Sequence, residues 1–588
     1  MQKIYTKNSS RILKGTIFLL IAAIILSACK SKNVETDLEP TLEATPTIQI
    51  ESTQAAPQIV TSGSPTPTLL PATPGANAAS QAGLIIFSMV DGEYKHLFAY
   101  HPSYMSITRL TSDAWDDEYP VVSPDGTRIA FTSNRFGIHD IFILDLVNNS
   151  LSQMTNSSAY ESRVSWSNDG NYIAYDVYQN EHYVLVIQSV TDLSEAPIQL
   201  TDESSNSFQP SWSPDGSQLA FVTDRSGRNE IWTAKLHDPS ERFIKIIGSL
   251  EADFYNPVWS PDGSSLAFSK HDSNDNIMVV NVNSLESDPV DIGYGSSPSW
   301  MPDGSGILAT IQQPNQTEII AYAVADRHLM LPPIKMSGIL SGYDWKSGNL
   351  YNSVQGWVSR NALAQPAALW ADEPSVEIGE NGRRSLVDLQ DVEAPQPSLS
   401  DAVDDSFIAL RSLVEEKTGW DFLGTLENAT LPPTSKDTPG IAENWLYTGR
   451  AIAVNLAPYE AEWMVVTREE FAGELYWRVW VKCKAQDGTC GKPIDTPIWD
   501  FNSRYSGDIL AYENGGRTLP APSGYWVDFT DLALRFGWER LPSLNNWRSY
   551  FQGIQFNVFV LKQQLSWTQA LLEIYPPDQV AIILGSEE

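Results

Sequence analysis

The chain has 588 residues, 42% hydrophobic and 11% aromatic with 19 Trp, too long for one ordinary core, so two or three domains are expected. A formal net charge of −34 argues against a nucleic-acid partner, and none is expected, because binding to a phosphate backbone needs clustered Lys and Arg. The same charge disfavours docking of the folded body on an anionic membrane and suits solubility outside the cytoplasm.

Lys3, Lys7, Arg11 and Lys14 precede an apolar run at 16–26, TIFLLIAAIIL, too short for a comfortable membrane-spanning helix but right for the apolar core of a signal peptide. Leu26-Ser27-Ala28-Cys29 follows and resembles the bacterial lipobox. The resemblance implies a signal peptide over 1–28, cleavage behind Ala28 and acylation of Cys29. The protein would then be extracytoplasmic and lipid-anchored to the bacterial cell membrane, each acyl chain contributing roughly 0.8 kcal/mol per buried CH₂. Residues 29–80 are rich in Thr, Ser, Pro and Ala without an apolar period and read as a tether, spanning roughly 40 Å root-mean-square.

A repeat then sets the fold. YPVVSPDGTRIAFTS from Tyr119, SRVSWSNDGNYIAYD from Ser162, QPSWSPDGSQLAFVT from Gln209, NPVWSPDGSSLAFSK from Asn256 and SPSWMPDGSGILATI from Ser297 align. Their turn residues Asp125, Asp169, Asp215, Asp262 and Asp303 lie 44, 46, 47 and 41 residues apart. In each copy an alternating strand ends in Trp or Val and a tight turn follows, Pro-Asp-Gly in four copies and Asn-Asp-Gly in the second, Pro fixing φ where present, Asp bonding nearby backbone and Gly supplying positive φ. A second apolar strand, a polar hairpin and two further strands follow, and four strands in such a period make one propeller blade. LIIFSMVDGEYKHLFAYHPSYMSITRLT lacks a first strand, and the worn copy SGYDWKSGNLY, with Trp345, supplies one. The expected fold is therefore an all-β six-bladed β-propeller over 81–351, closed by pairing its two ends, and followed by an α+β C-terminal domain. These repeats resemble the TolB-type propeller and the related tandem SPDG, WD-like repeats of bacterial surface proteins. The turn aspartates are read as turn formers rather than metal ligands. Trp166, Trp212, Trp259, Trp300 and Trp345 are read as packing between blades, with a ligand cage as the alternative. The stretch from His271 to Asn276 is read as a polar hairpin, because it lacks EF-hand spacing.

Residues 352–400 contain Pro, acidic and Gly-rich patches and read as a connector. From 401 to 588 an α+β pattern begins, with helical periodicity in DSFIALRSLVEEKTGWDFLG, strands at WMVVT and YWRVWVKCK, and helices in FTDLALRFG and WTQALLEIY. Cys483 and Cys490 flank the Asp487-Gly488 turn, and an oxidising location favours a disulfide. By the chain-entropy model it would contribute about 2.5 kcal/mol. The tail contains no G-x-S-x-G elbow and no histidine, since all seven His lie at or before His328. A Ser-His-Asp device or a His-ligated zinc cannot be built within it. No catalytic residue, metal ligand or cofactor is assigned.

Asn444-Trp445-Leu446-Tyr447-Thr448-Gly449-Arg450-Ala451-Ile452-Ala453, with LALRFGWERLPSLNNWRSYFQGIQFN downstream, faintly resembles the zinc D-alanyl-D-alanine carboxypeptidase and Hedgehog-type fold. Gly449, Ala451, Gly537, Trp538, Trp547 and Phe556 match. The zinc-ligand positions hold Leu446, Ala453 and Gln555, and the catalytic-acid position holds Gln552. The resemblance implies a metal-free pseudopeptidase in which Trp445, Tyr447 and Arg450 are candidate peptide-binding residues; the alternative is that these three are core or surface residues.

The expected function is a non-enzymatic binding or scaffold lipoprotein whose propeller holds an envelope protein or cell-wall partner and whose C-terminal domain recognises peptidoglycan peptides. The alternative is a carboxylate-only cell-envelope hydrolase such as a glycosidase, with a paired Asp and Glu. For the anchor, Cys29→Ser is expected to release the protein from lipid or leave it as unprocessed precursor. Membrane fractionation with mass determination checks this; a mature, membrane-bound product of unchanged mass would contradict it.

Overall fold

In every complete repeat the turn aspartate does the same local work. Its carboxylate accepts the backbone N–H two residues on, Asp125 from Thr127, Asp169 from Asn171, Asp215 from Ser217, Asp262 from Ser264 and Asp303 from Ser305, at 2.9–3.0 Å. In four of the five a serine two residues earlier also donates to it at 2.6 Å. The aspartates are thus used up by the turn that reverses the chain. The computed structural model from which these distances come describes residues 84–101, 105–272, 274–284, 288–336, 338–346, 382–432, 435 and 441–585. The expected signal peptide over 1–28, the expected lipidation site Cys29, the expected tether over 29–80 and residues 347–381 lie outside the described residues. No helix among the described residues is long and apolar enough to cross a membrane.

Residues 84–346 form six antiparallel sheets of four strands among the described residues. Five take consecutive strands. The remaining one, here sheet one, adds Leu340–Lys346 to Leu84–Asp91, Tyr94–His101 and Met105–Arg109, with Ile85 opposite Trp345 and Phe87 opposite Tyr343. Sheets two to six follow in chain order. Their first strands, Asp117–Val122, Tyr160–Trp166, Ser207–Trp212, Asp253–Trp259 and Ser296–Trp300, contact each other in sequence, and Leu340–Lys346 contacts both Asp117–Val122 and Ser296–Trp300. This cyclic order is that of a propeller, in which each first strand is one edge of its sheet and is flanked by the first strands of the two neighbouring sheets.

Two devices lock neighbouring sheets. The indole N–H of Trp166, Trp259 and Trp300 donates to the preceding sheet's first strand, at Val121, Ser211 and Val258 carbonyls, 3.1–3.2 Å away. These tryptophans therefore pack between sheets. Each first strand also carries a bulge, marked by a register shift, with a left-handed residue at the same repeat position: Tyr119, Arg163, Gln209, Asn256, Ser297 and Gly342. Only the last is glycine, so five repeats hold a side-chain-bearing residue where L-residues pay about 1 kcal/mol or more. The bulge turns backbone N–H groups sideways: Gln209 N donates to Asp176 of sheet three at 2.8 Å, Asn256 N to Gln209 Oε1 at 2.7 Å and Ser297 N to Ser269 Oγ at 2.8 Å.

Residues 382–585 fold with mixed helices and short sheets. Asp404–Thr418 forms a helix closed by Gly419 at φ 78°, the left-handed cap that glycine favours. Asp528 caps the helix Phe529–Arg535 through the Asp531 N–H, and Ser566 with Gln569 makes a capping box on Trp567–Ile574. Met464–Phe471 and Glu474–Lys482 pair as a hairpin beside Trp526–Asp528, and a second sheet joins Leu426–Asn428, Ala451–Val454, Val558–Val560 and Glu539–Arg540. Trp477, Phe501 and Trp538 are the large side chains at the centre of the buried cluster. Cys483 and Cys490 are joined as a disulfide. The expected connector 352–400 needs correction at its end: Leu386–Asp388 pairs with Ser398–Ser400, and Leu389, Val392 and Leu399 belong to the same core as the 404–418 helix. Three apolar residues scattered among Pro and acids carry no period, so the sequence hid them.

Trp345 is buried against Ile85, Phe87, Met301 and Leu308 where the two ends of the ring meet. Trp345→Ala is expected to lower the unfolding free energy by about 3–5 kcal/mol, the usual range for truncating a buried tryptophan. Urea denaturation followed by fluorescence and circular dichroism checks it; an unchanged midpoint would show that this strand does not close the ring.

Candidate functional site

The sheets and the C-terminal region fall in one compact unit, and the second packs on one end of the first. The end is that of the hairpins joining second to third strands. Arg540 donates to Pro314 O at 2.5 Å and Arg535 to Glu93 O; Tyr178 Oη accepts from Gly524 N at 2.8 Å. Tyr160, Tyr183, Phe208 and Tyr255 from the sheets join the C-terminal core. The Pro-Asp-Gly turns lie at the opposite end of the same strands.

Buried charges fix this seam. Lys95 Nζ lies 2.7 Å from Glu118 and 3.2 Å from Asp531, while Arg535 lies 2.7 Å from Asp531 and 3.1 Å from Asp116. Burial alone would raise the pKa of Asp531, but Lys95 and Arg535 outweigh it and hold the carboxyl far below its ordinary range. Glu118 is held down in the same way, chiefly by Lys95. Next to this seam residues 490–498 lie along the ring of bulge residues. Lys492 Nζ sits 6.0 Å from the Tyr119 ring centre, Pro493 O accepts from Tyr183 Oη at 3.1 Å, and Asp495 pairs with Arg163 at 2.5 Å.

Beside that segment a cleft of about 640 Å³ opens between the two regions. The sheets supply Gln209, Tyr255, Asn256 and Ser297, and the C-terminal region supplies Tyr476, Trp480, Trp499 and Thr496. Apart from exposed Glu251, every charged side chain of the wall has an opposite partner: Arg228 with Asp253, His271 with Asp275, Asp272 with Lys270, Arg468 with Glu470, Asp495 with Arg163, and Glu469 with Arg478 and Arg540. Burial works to raise Glu469, but Arg478 and Arg540 prevail and hold it down to about 2. It stays ionised at neutral pH and cannot serve as a general acid there. What the wall offers a ligand is therefore aromatic surface and neutral hydrogen-bonding groups.

The candidate groove residues are placed elsewhere. Trp445, Tyr447 and Arg450 are all buried, with Arg450 only 1% exposed. Arg450 donates to Glu573 at 2.7 Å and to Gln563 at 2.9 Å. Trp445 and Tyr447 pack under the helix Trp567–Ile574. The peptide-binding assignment of these three is corrected: they are core residues, and the guanidinium is already spent on an internal carboxylate. Of the replaced zinc positions, Leu446 and Ala453 lie in that same apolar cluster, while Gln555 follows the turn Phe551–Ile554. Among the described residues no three His, Cys, Asp or Glu side chains are gathered as a metal centre. His271 and Asp275, read as part of a polar hairpin, do lie on the wall of the cleft.

Sequence reasoning passed over the bulge ring and the cleft. A signal existed. Three residues before each Trp or its Val122 equivalent the repeat reads Tyr, Arg, Gln, Asn, Ser and Gly, a varied position inside an otherwise constant motif. The cleft wall from the C-terminal region had no such frame.

Residues 190–331 match the family model of the TolB beta-propeller domain. No curated protein matches the chain significantly. Among solved structures, TolB from Acinetobacter baumannii is 17% identical, over 45% of this chain and 67% of its own, with a TM-score of 0.40. A putative TolB from Agrobacterium tumefaciens is 19% identical, over 38% of this chain and 95% of its own, at 0.32. A puromycin-hydrolyzing peptidase from Mycobacterium tuberculosis is 15% identical, over 44% of each chain, at 0.35. At such TM-scores these likenesses carry no argument about activity. Residues 190–331 thus match the TolB beta-propeller domain, and the repeat and the sheet topology carry the same propeller architecture over 84–346.

Proposed function

We propose that the chain is an extracytoplasmic, membrane-anchored binding or scaffold lipoprotein. It is built on a six-bladed propeller capped at one end by its C-terminal domain, and it holds an uncharged polar segment of an envelope partner in the cleft between them. The observation that carries this reading is the self-paired wall of that cleft. A charged ligand would have to displace an internal partner, and at the buried guanidiniums of Arg478 and Arg540 that would leave a poorly solvated charge behind. A neutral glycan or peptide segment needs only the aromatic faces and the Gln, Asn, Ser and Thr groups. Glu469, held ionised by Arg478 and Arg540, is not available as a glycosidase's acid, which favours binding over turnover.

The full chain in detergent, mixed with purified cell-wall sacculi and with soluble muropeptides, tests this. Retention is expected without release of fragments. Thr496→Ala combined with Tyr476→Ala, both on the cleft wall, should weaken retention about tenfold, roughly 1.4 kcal/mol. Retention untouched by the double variant would remove the cleft from the account, and released glycan or peptide fragments would establish the hydrolase instead.

A further inference from the structure

At each junction between consecutive sheets the repeat brings together two positions, one at the start of a third strand and one at the start of the next sheet's first strand. Between sheets two and three these are Asp140 and Glu161. They are neighbours: the Glu161 N–H donates to the carbonyl of His139 at 3.0 Å. Asp140 is 3% exposed and Glu161 4%. Asp140 Oδ2 accepts from Gln153 Nε2 at 3.0 Å and Glu161 Oε1 from Ser157 Oγ at 2.7 Å. The other oxygens, Asp140 Oδ1 and Glu161 Oε2, are buried without a hydrogen-bond partner. Neither carboxylate meets a Lys, Arg or His among the described residues.

The same chain shows how these positions are neutralised elsewhere. In sheet four the equivalent of Asp140 is Glu230, because Phe142 and Trp232 hold matching registers. Glu230 receives Lys245 Nζ, and Lys245 stands where Gln153 stands in sheet two, each opposite that aromatic residue. The next sheet then contributes the apolar Phe254. At the junction of sheets one and two the equivalent of Glu161 is Asp117, and Arg135 holds it at 2.8 Å. The junction of sheets two and three has both acids and neither cation.

We infer that Asp140 and Glu161 bind a divalent cation of the hard, oxygen-preferring class, calcium above all. Calcium accepts six to eight oxygens in irregular geometry and takes neutral oxygens and water beside carboxylates. Gln153, whose amide nitrogen faces Asp140 and whose oxygen would take that place on a flip of the amide, and the Ser157 and Thr155 hydroxyls on Glu161 supply neutral oxygens in the same network. The cation supplies the charge that Lys245 supplies to Glu230 and Arg135 supplies to Asp117. Without it, burial, partly offset by Thr155 and Ser157 hydroxyls, pushes Glu161 up to about 7, with Asp140 pushing the same way. The site borders the C-terminal domain: a side chain on Gly488, in the disulfide-bridged hairpin, would come 3.3 Å from the Ser158 carbonyl. An ion held here would stiffen that contact.

The full chain in detergent, stripped with chelator, is titrated with calcium chloride while Tm and bound calcium are measured. One calcium per chain and a saturable Tm rise of several degrees are expected. Asp140→Asn and Glu161→Gln should each abolish both. Gln153→Lys should give a high Tm that no longer responds to calcium, and it keeps the test open if the other variants fold poorly. Absence of bound calcium in the wild type, or an unchanged response in Glu161→Gln, would overturn the inference. So would a wild-type Tm that ignores calcium but rises as pH falls from about 8 to about 6, because a proton shared by the two acids would then neutralise the pair.

Discussion

The contact on which the molecule depends is the buried charge seam between Lys95, Asp116 and Glu118 of the propeller and Asp531 and Arg535 of the helix Phe529–Arg535. A buried ion pair is a poor source of net stability, but removing one member typically costs 3–5 kcal/mol, because the other charge is stranded out of water. Such a seam therefore specifies one orientation and penalises every other. Its carboxyls have depressed pKa values in the folded state, so their contribution is present at neutral pH and is lost only in strong acid. The aromatic contacts around it, Tyr178 with Tyr525 among them at 5.5 Å, supply the apolar burial that charges cannot.

Orientation matters because the cleft and the contacts made by the bulge residues are completed by it. The bulge residues Tyr119 and Arg163 meet Lys492 and Asp495 only when the C-terminal domain is seated. The cleft has one wall from each side. A tilt of the domain would open Arg163 and Asp495 to solvent and change what the cavity can hold. The propeller is a rigid platform, and the bound domain converts one end of it into a shaped site while leaving the end with the Pro-Asp-Gly turns uncovered among the described residues.

The ring was legible because its devices are local. A Pro-Asp-Gly turn and a strand-ending tryptophan each need only a few consecutive residues, and repetition at a fixed period multiplies a weak signal. The helices at 404–418, 529–535 and 567–574 were legible for the same reason: their caps and apolar faces lie within them. The seam was not, since Asp116 and Arg535 stand 419 residues apart, and a lone arginine between Leu534 and Phe536 says nothing about its partner. Arg450 shows the cost of that blindness. In a Trp-Leu-Tyr-Thr-Gly-Arg run it looked like a ligand's carboxylate partner, yet Glu573, 123 residues away, already occupies it.

Scanning calorimetry of the wild type and of Arg535→Met tests the central claim most directly. Methionine keeps most of the side-chain volume and removes the charge that pairs with Asp116 and Asp531. The wild type is expected to melt in one transition, because the propeller and the C-terminal domain hold each other. The variant is expected to split into two transitions, with the C-terminal domain melting first. A variant that melts in one transition at the wild-type temperature would show that the charge seam does not join the two halves.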